Sequence, residues 1–146
     1  MTAQLGLPGI RTRRRSLLRR DRPACPAEFD LQCALMTWAK LNEGRWPELA
    51  LLHHVPNGSH RYRNVAAGLK RAGVKPGVPD LVLPVPRGAY HGCYLELKSR
   101  AGTLSSAQRW WHAQLAAQGY CTRVARSLEE GIAILEGYLC PNAPPA

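Results

Sequence analysis

Apolar side chains at Leu31, Ala34, Leu35, Trp38 and Leu41 recur with the i, i+3, i+4, i+7 rhythm of an amphipathic helix that starts near Glu28. Pro26 stands just ahead of it, and Asn42-Glu43-Gly44 offers a stop. The mostly apolar run Leu49 to Val55 followed by the turn signal Pro56-Asn57-Gly58 predicts a strand entering a loop. Arg61 to Arg71 then predicts a short basic helix stopped at Gly73. Lys75-Pro76-Gly77-Val78-Pro79 cannot be helical and delivers the chain into Asp80 to Val85, a strand that Pro84 confines to an edge or an end. Arg87-Gly88 fits a hairpin turn, and residues 89–98, rich in strand formers around Gly92, make the second arm. Ser105 and Gln108 have the spacing of a capping box, opening a helix to Gln118 that Gly119 ends. Tyr120 to Ala125 predicts another strand, and Ser127 with Glu130 opens a last helix through Leu139. The order describes an α/β fold, a mixed sheet flanked by helices.

Length and charge refine this picture. A chain of 146 residues is one domain, large enough to form a core without disulfides or a structural metal. No window approaches the roughly 18 consecutive apolar residues of a membrane span, so no membrane partner is expected. The five cysteines are odd in number, scattered and never in a C-x-x-C pair, which argues against a disulfide framework or a zinc ribbon and for a reducing, cytoplasmic setting, with a phage or bacterial source in keeping with the compact form. Lys and Arg number 20 against 10 Asp and Glu, and seven of the bases, Arg11, Arg13, Arg14, Arg15, Arg19, Arg20 and Arg22, crowd the first 22 positions. Residues 1–24 therefore read as a flexible basic arm, 25–140 as the folded domain and 141–146 as an irregular tail. The arm is either a solubilising tail or a phosphate-tracking element whose affinity is salt-dependent. With its seven bases and one acid set aside, 13 basic and 9 acidic residues remain, so an acidic partner such as nucleic acid is favoured.

The strongest chemical signal lies in Asp80, Glu96 and Lys98. Strand side chains alternate, so Glu96 and Lys98 share one face while Leu95 and Leu97 face a core. In the hairpin, Asp80 comes near the end of the partner strand that carries them. Two carboxylates so placed repel unless a cation lies between them, and hard oxygen ligands suit Mg²⁺ or Mn²⁺. A lysine beside such a site can orient a water, or help deprotonate it, for attack on phosphorus. The bland alternative is an edge-strand salt bridge from Glu96 to Lys98 or Arg100, of small value at a surface.

The combined string Gly77-Val78-Pro79-Asp80-Leu81-Val82-Leu83, Tyr94-Leu95-Glu96-Leu97-Lys98 and Leu104-Ser105-x-x-Gln108 resembles the VRR-NUC branch of the PD-(D/E)XK nuclease superfamily, over roughly residues 27–139. The resemblance implies a restriction-endonuclease-like α/β fold and a DNA endonuclease dependent on Mg²⁺ or Mn²⁺. It implies that Asp80 and Glu96 hold the metal with the backbone carbonyl of Leu97, and that Lys98 is the catalytic lysine. Glu28 and Gln108 stand where the family has an acid on the first helix and a glutamine after the E-x-K strand. Superfamily members that resolve branched DNA are commonly homodimers with two paired active sites, so the resemblance suggests a Holliday junction or other branched DNA as substrate, with nicking of ordinary duplex as the alternative.

Several of these residues also suit ordinary structural roles. Glu28 fits the first turn of any helix, and Gln108 can be the reciprocal half of the cap with Ser105. His53 and His54 are adjacent on a strand and face opposite sides, so only one of them, taken here as His54, can touch substrate. Asn57 matches an asparagine of the family's loop and is also a good turn former. Arg61, Arg63, Lys70, Arg71 and Lys75 lie between that loop and Asp80, as phosphate contacts or as a solvated helix face. Trp110 and Trp111 diverge by about 100° on a helix, so at most one is expected in the core, and the other suits a dimer contact or a boundary position. Two non-enzymatic readings compete: a nucleic-acid-binding module of the same fold, and a protein whose basic arm docks on an acidic partner.

Overall fold

The computed structural model describes residues 27–56 and 68–140. The expected arm with Arg13, Arg14 and Arg15, the positions Asn57, Arg61 and Arg63, and the tail lie outside the described residues. Helix α1 spans Ala27–Leu41, with Glu28 and Asp30 in its first turn and Lys40 in its last, each complementing the helix dipole. It buries Leu35 and Ala39, with Leu31, Met36 and Trp38 packed partly against the same core. Leu41 is 79% exposed, against expectation. The chain turns away directly after it, with the Asn42 side-chain amide donating to the Trp38 carbonyl at 2.9 Å.

The expected strand at Leu49 to Val55 is mostly not one. Pro47–Leu51 is a 3-10 helix, and only His53–His54 form strand β1. Trp46, Leu49 and Leu52 are the buried residues here, and their three-residue spacing is the period of a 3-10 turn rather than the alternation of a strand. Pro47 favours the same outcome by fixing the first helical φ.

The sheet runs in the order β1-β2-β3-β4, where β2 is Leu81–Leu83, β3 is Cys93–Leu97 and β4 is Cys121–Ala125. The first two pairings are antiparallel and the last is parallel. Pro84 falls just past the end of β2, so it removes no interior ladder bond. The Arg87-Gly88 turn forms as expected, with Arg87 and Tyr90 bridging across it. Residues 68–71 are helical and end at Gly73, whose φ of +96° suits the expected stop.

Helix α2, Ser106–Ala117, crosses from β3 to β4 and opens on a complete capping box between Ser105 and Gln108. It ends at Gly119, φ +80°. Helix α3, Leu128–Leu139, is capped by Ser127, but the Glu130 carboxylate accepts from the Arg126 N–H instead of closing a box with Ser127. Leu35 of α1 and Leu135 of α3 join Leu81, Leu83, Leu95 and Leu97 in one apolar core. Glu96 faces away from that leucine face and meets Gln108, so α2 covers the other side of the sheet. Cys33, Cys93, Cys121 and Cys140 are free thiols. No helix of the described residues is long and apolar enough to cross a membrane.

The loop that leads into β2 lies against α2. Gly77 has φ +87°, and a Cβ there would sit 2.7 Å from the Ala107 carbonyl carbon. The Trp111 indole N–H donates to the Pro76 carbonyl at 3.1 Å and pins the same loop. Gly77→Ala should therefore destabilise the fold twice over, by ~1–2 kcal/mol for a left-handed backbone and by ~1–3 kcal/mol for overpacking. The expected result is a melting temperature lower by about 5 °C or more in scanning calorimetry; an unchanged midpoint would show that the contact yields freely.

Candidate active site

Asp80 is positioned by two backbone N–H groups and one histidine ring. Its carbonyl accepts from the Val55 N–H at 2.8 Å and from His54 Nδ1 at 2.9 Å, and its Oδ2 accepts from the Leu97 N–H at 2.8 Å. The antiparallel register of β2 and β3 makes this last contact, since Leu81 sits opposite Leu95 and the strands run past one another by the next residues. The other edge of β3 bonds to β4, where the Lys98 N–H donates to Ala125 at 3.0 Å. Backbone groups alternate edges along a strand, so the carbonyl of Leu97 lies on the Asp80 side with its N–H.

Glu96 is 1% exposed and Lys98 9%. The edge-strand reading of this pair is thus wrong: β3 lies between two neighbours and α2 covers the acid. Lys98 Nζ stands 2.9 Å from Glu96 Oε1 and 3.9 Å from Glu28 Oε2. Gln108 closes the cap, since its Oε1 accepts from the Ser105 N–H at 2.9 Å, and its Nε2 also donates to Glu96 Oε1. Glu28 also reaches the site from α1, accepting from the Ser99 N–H at 3.1 Å. Two donors converge on Glu96 Oε1, whereas Glu96 Oε2 is buried and has no hydrogen-bond partner.

Burial dominates the electrostatics. It raises the Glu96 carboxyl from its usual 4.5 to about 7, with Lys98 pulling it down and the Asp80 charge pushing it up. Burial also raises Asp80, against the Leu97 N–H and Lys98, which favour its ionised form. For Lys98 burial works the other way, but the hydrogen bond to Glu96 and the nearby acids outweigh it, so the ammonium holds its proton above the usual lysine range.

An orphaned buried carboxylate oxygen beside a second desolvated acid is what a divalent cation would satisfy. Oε2 of Glu96, Asp80 and the Leu97 carbonyl are hard oxygen donors of the kind Mg²⁺ and Mn²⁺ take. Glu28 does not add a third acid to this set. Both its oxygens face Ser99 and Lys98, and among the described residues no three His, Cys, Asp or Glu side chains form a group able to hold a metal.

The other expected contacts are less gathered. His54 is exposed and fixed by the Asp80 carbonyl, to which its Nδ1–H donates. Exposed His53 turns to the Leu51 carbonyl at 2.9 Å instead. Lys70, Arg71 and Lys75 are exposed on the segment before Asp80. Of the tryptophans, Trp110 is 57% exposed and Trp111 half-buried, as the helical spacing predicts.

The sequence profile of the VRR-NUC domain matches residues 13–129 of this chain. A solved structure titled as a VRR-NUC domain protein is 34% identical, superposes with a TM-score of 0.65, and is matched over 76% of this chain and 86% of its own. No curated protein matches.

Proposed function

Because this chain belongs to the VRR-NUC domain family, nucleases of the PD-(D/E)XK type, we propose that it is a divalent-metal-dependent DNA endonuclease that hydrolyses phosphodiesters at the Asp80, Glu96 and Lys98 site. In this reading 25–140 is the nuclease domain, 1–24 a basic arm that adds affinity without reading sequence, and 141–146 a tail. The observation that carries it is Glu96, buried to 1% exposure, with Oε1 accepting from both Lys98 and Gln108 and Oε2 without a partner.

Asp80, Glu96 and the Leu97 carbonyl would hold the cation, Mg²⁺ or Mn²⁺, which when bound neutralises the two acids and polarises the phosphoryl group. Lys98 keeps its proton, so its role is that of a donor: it orients the attacking water and stabilises negative charge as it develops on the phosphoryl oxygens. Gln108 holds Glu96 Oε1 and thereby turns Oε2 toward the cation. Glu28 supports Lys98 and the start of the following loop. His54, Lys70, Arg71 and Lys75 would contact the DNA on the Asp80 side, and Asn57, Arg61 and Arg63, outside the described residues, are proposed DNA contacts from the sequence alone.

For the substrate we propose branched DNA, with a Holliday junction as the test case, cut by a homodimer that presents two such sites. A labelled four-way junction and its matched linear duplex, incubated with Mg²⁺, Mn²⁺ or EDTA, test this directly. Cutting in either metal and none in EDTA is expected, with the junction consumed faster. Equal rates would remove the branched-DNA preference alone. Binding of both DNAs with cutting of neither in any metal would overturn the nuclease and leave a binding module of the same fold.

A further inference from the structure

Bases on the far side of Lys98 were not expected from the sequence, yet the fold gathers them. The carboxyl ends of β3 and β4 lie side by side, Leu97 opposite Ala125. Arg126 therefore stands next to Lys98 although the two are far apart in sequence. The loop from Ser99 to Ser105 folds back over the lysine: the Gly102 N–H donates to the Ser99 carbonyl at 2.9 Å, and a Cβ on Gly102 would be 3.3 Å from Lys98 Cδ.

Two arginines from different elements grip that loop. The Arg109 guanidinium, one turn into α2, donates to the Leu104 carbonyl, and the Arg126 guanidinium donates to the Gly102 carbonyl at 3.4 Å. Both residues are exposed, and among the described residues neither makes an ion pair. Of the two acids that follow Arg126, Glu129 and Glu130, the second has an oxygen engaged by the Arg126 backbone N–H. Arg87 and Arg45 differ, since Arg87 pairs with Glu48 and Arg45 lies 4.0 Å over the Trp46 ring.

We propose that Arg109 and Arg126 form a two-arginine clamp for a DNA backbone phosphate beside the one at Lys98. The assignment deepens the nuclease reading and rests on it. A carbonyl acceptor orients a guanidinium without neutralising it, and each guanidinium has five N–H donors, so most remain for a phosphate. Held in place before DNA arrives, the side chains lose less freedom on binding. The clamp is blind to base sequence, because its ligand is the backbone.

Binding of a labelled duplex by the full chain in EDTA, across a salt series, separates this from simple loop pinning. Each phosphate contact steepens the plot of log affinity against log salt by about 0.9 for duplex DNA. Relative to wild type, Arg109→Gln and Arg126→Gln should each flatten the slope by about one, and the double variant by about two, with weaker binding at every salt. Arg45→Gln should leave the slope unchanged. Slopes that coincide for wild type and double variant would overturn the clamp, including the case in which only the melting temperature falls; so would a wild type that does not bind DNA at low salt. If the slopes separate but wild type cuts no DNA in any metal, the clamp stands and the nuclease reading alone fails.

Discussion

Lys98→Ala is expected to slow DNA cleavage by about 10²- to 10³-fold at saturating Mg²⁺, the loss that follows when one preorganised donor is taken from a developing oxyanion. The donor is preorganised because its residue is 9% exposed and its ammonium is fixed between Glu96 and Glu28. It remains charged at neutral pH, since the acids around it outweigh the burial that would strip its proton. DNA binding in EDTA should change little, because a single near-buried cation makes a small part of a salt-dependent backbone interaction. Single-turnover cleavage separates the chemical step from binding. Lys98→Gln, which keeps a donor without the charge, should recover part of the rate. A Lys98→Ala rate within about threefold of wild type would remove Lys98 from the chemistry, since a factor that small is well under 1 kcal/mol of barrier.

Much of this site was legible because it rests on short-range rules. Alternation along β3 put Glu96 and Lys98 on one face, and the hairpin brought Asp80 to the Leu97 N–H. The Ser105 and Gln108 spacing foretold the cap, and Gly73 and Gly119 the stops. What periodicity could not give was depth. A lone E-x-K reads as a polar face, and only the placement of α2 over β3 buries Glu96 and makes the capping Gln108 its partner as well. The run through Leu49 departs from the expected strand for a related reason: apolar residues in a short window fit strand and turn alike, and the three-residue spacing of Trp46, Leu49 and Leu52 is the discriminating signal. Arg126 comes beside Lys98 through a parallel pairing, reached only across a crossover helix, so its partnership with Arg109 of that helix has no local signal in the sequence. The basic residues that stood out sat before Asp80, where sequence proximity made them visible.

The burial that equips Glu96 for a cation should also make the metal-free protein sensitive to pH. Its carboxyl titrates near 7 in the fold against a usual 4.5, with desolvation as the main cause. A folded-state value above the unfolded one means that the fold holds the proton more tightly. Stability from this group is then fully present below about pH 4.5 and is lost as pH rises through about 7. At ~1.4 kcal/mol per unit, ionising Glu96 withdraws up to ~3 kcal/mol by pH 8. Asp80, raised by burial as well, acts in the same direction. His112, which burial holds below its usual 6.5, acts in the opposite one, with stability lost as pH falls below that value. Glu96→Gln isolates the first effect, because an amide fills the same space and does not ionise. In EDTA the wild-type melting temperature should fall from pH 5 to pH 8 more steeply than that of Glu96→Gln, by the equivalent of ~2–3 kcal/mol on the same ~1.4 kcal/mol scale. Adding Mg²⁺ or Mn²⁺ at pH 8 should restore the wild type, by about 2.7 kcal/mol at a hundredfold excess over its dissociation constant, and leave the variant where it was. The variant should cut no DNA. Parallel pH curves for the two proteins would show that Glu96 is not the desolvated acid of the site, and a wild type indifferent to both metals at pH 8 would show that the orphaned oxygen is not where a cation binds.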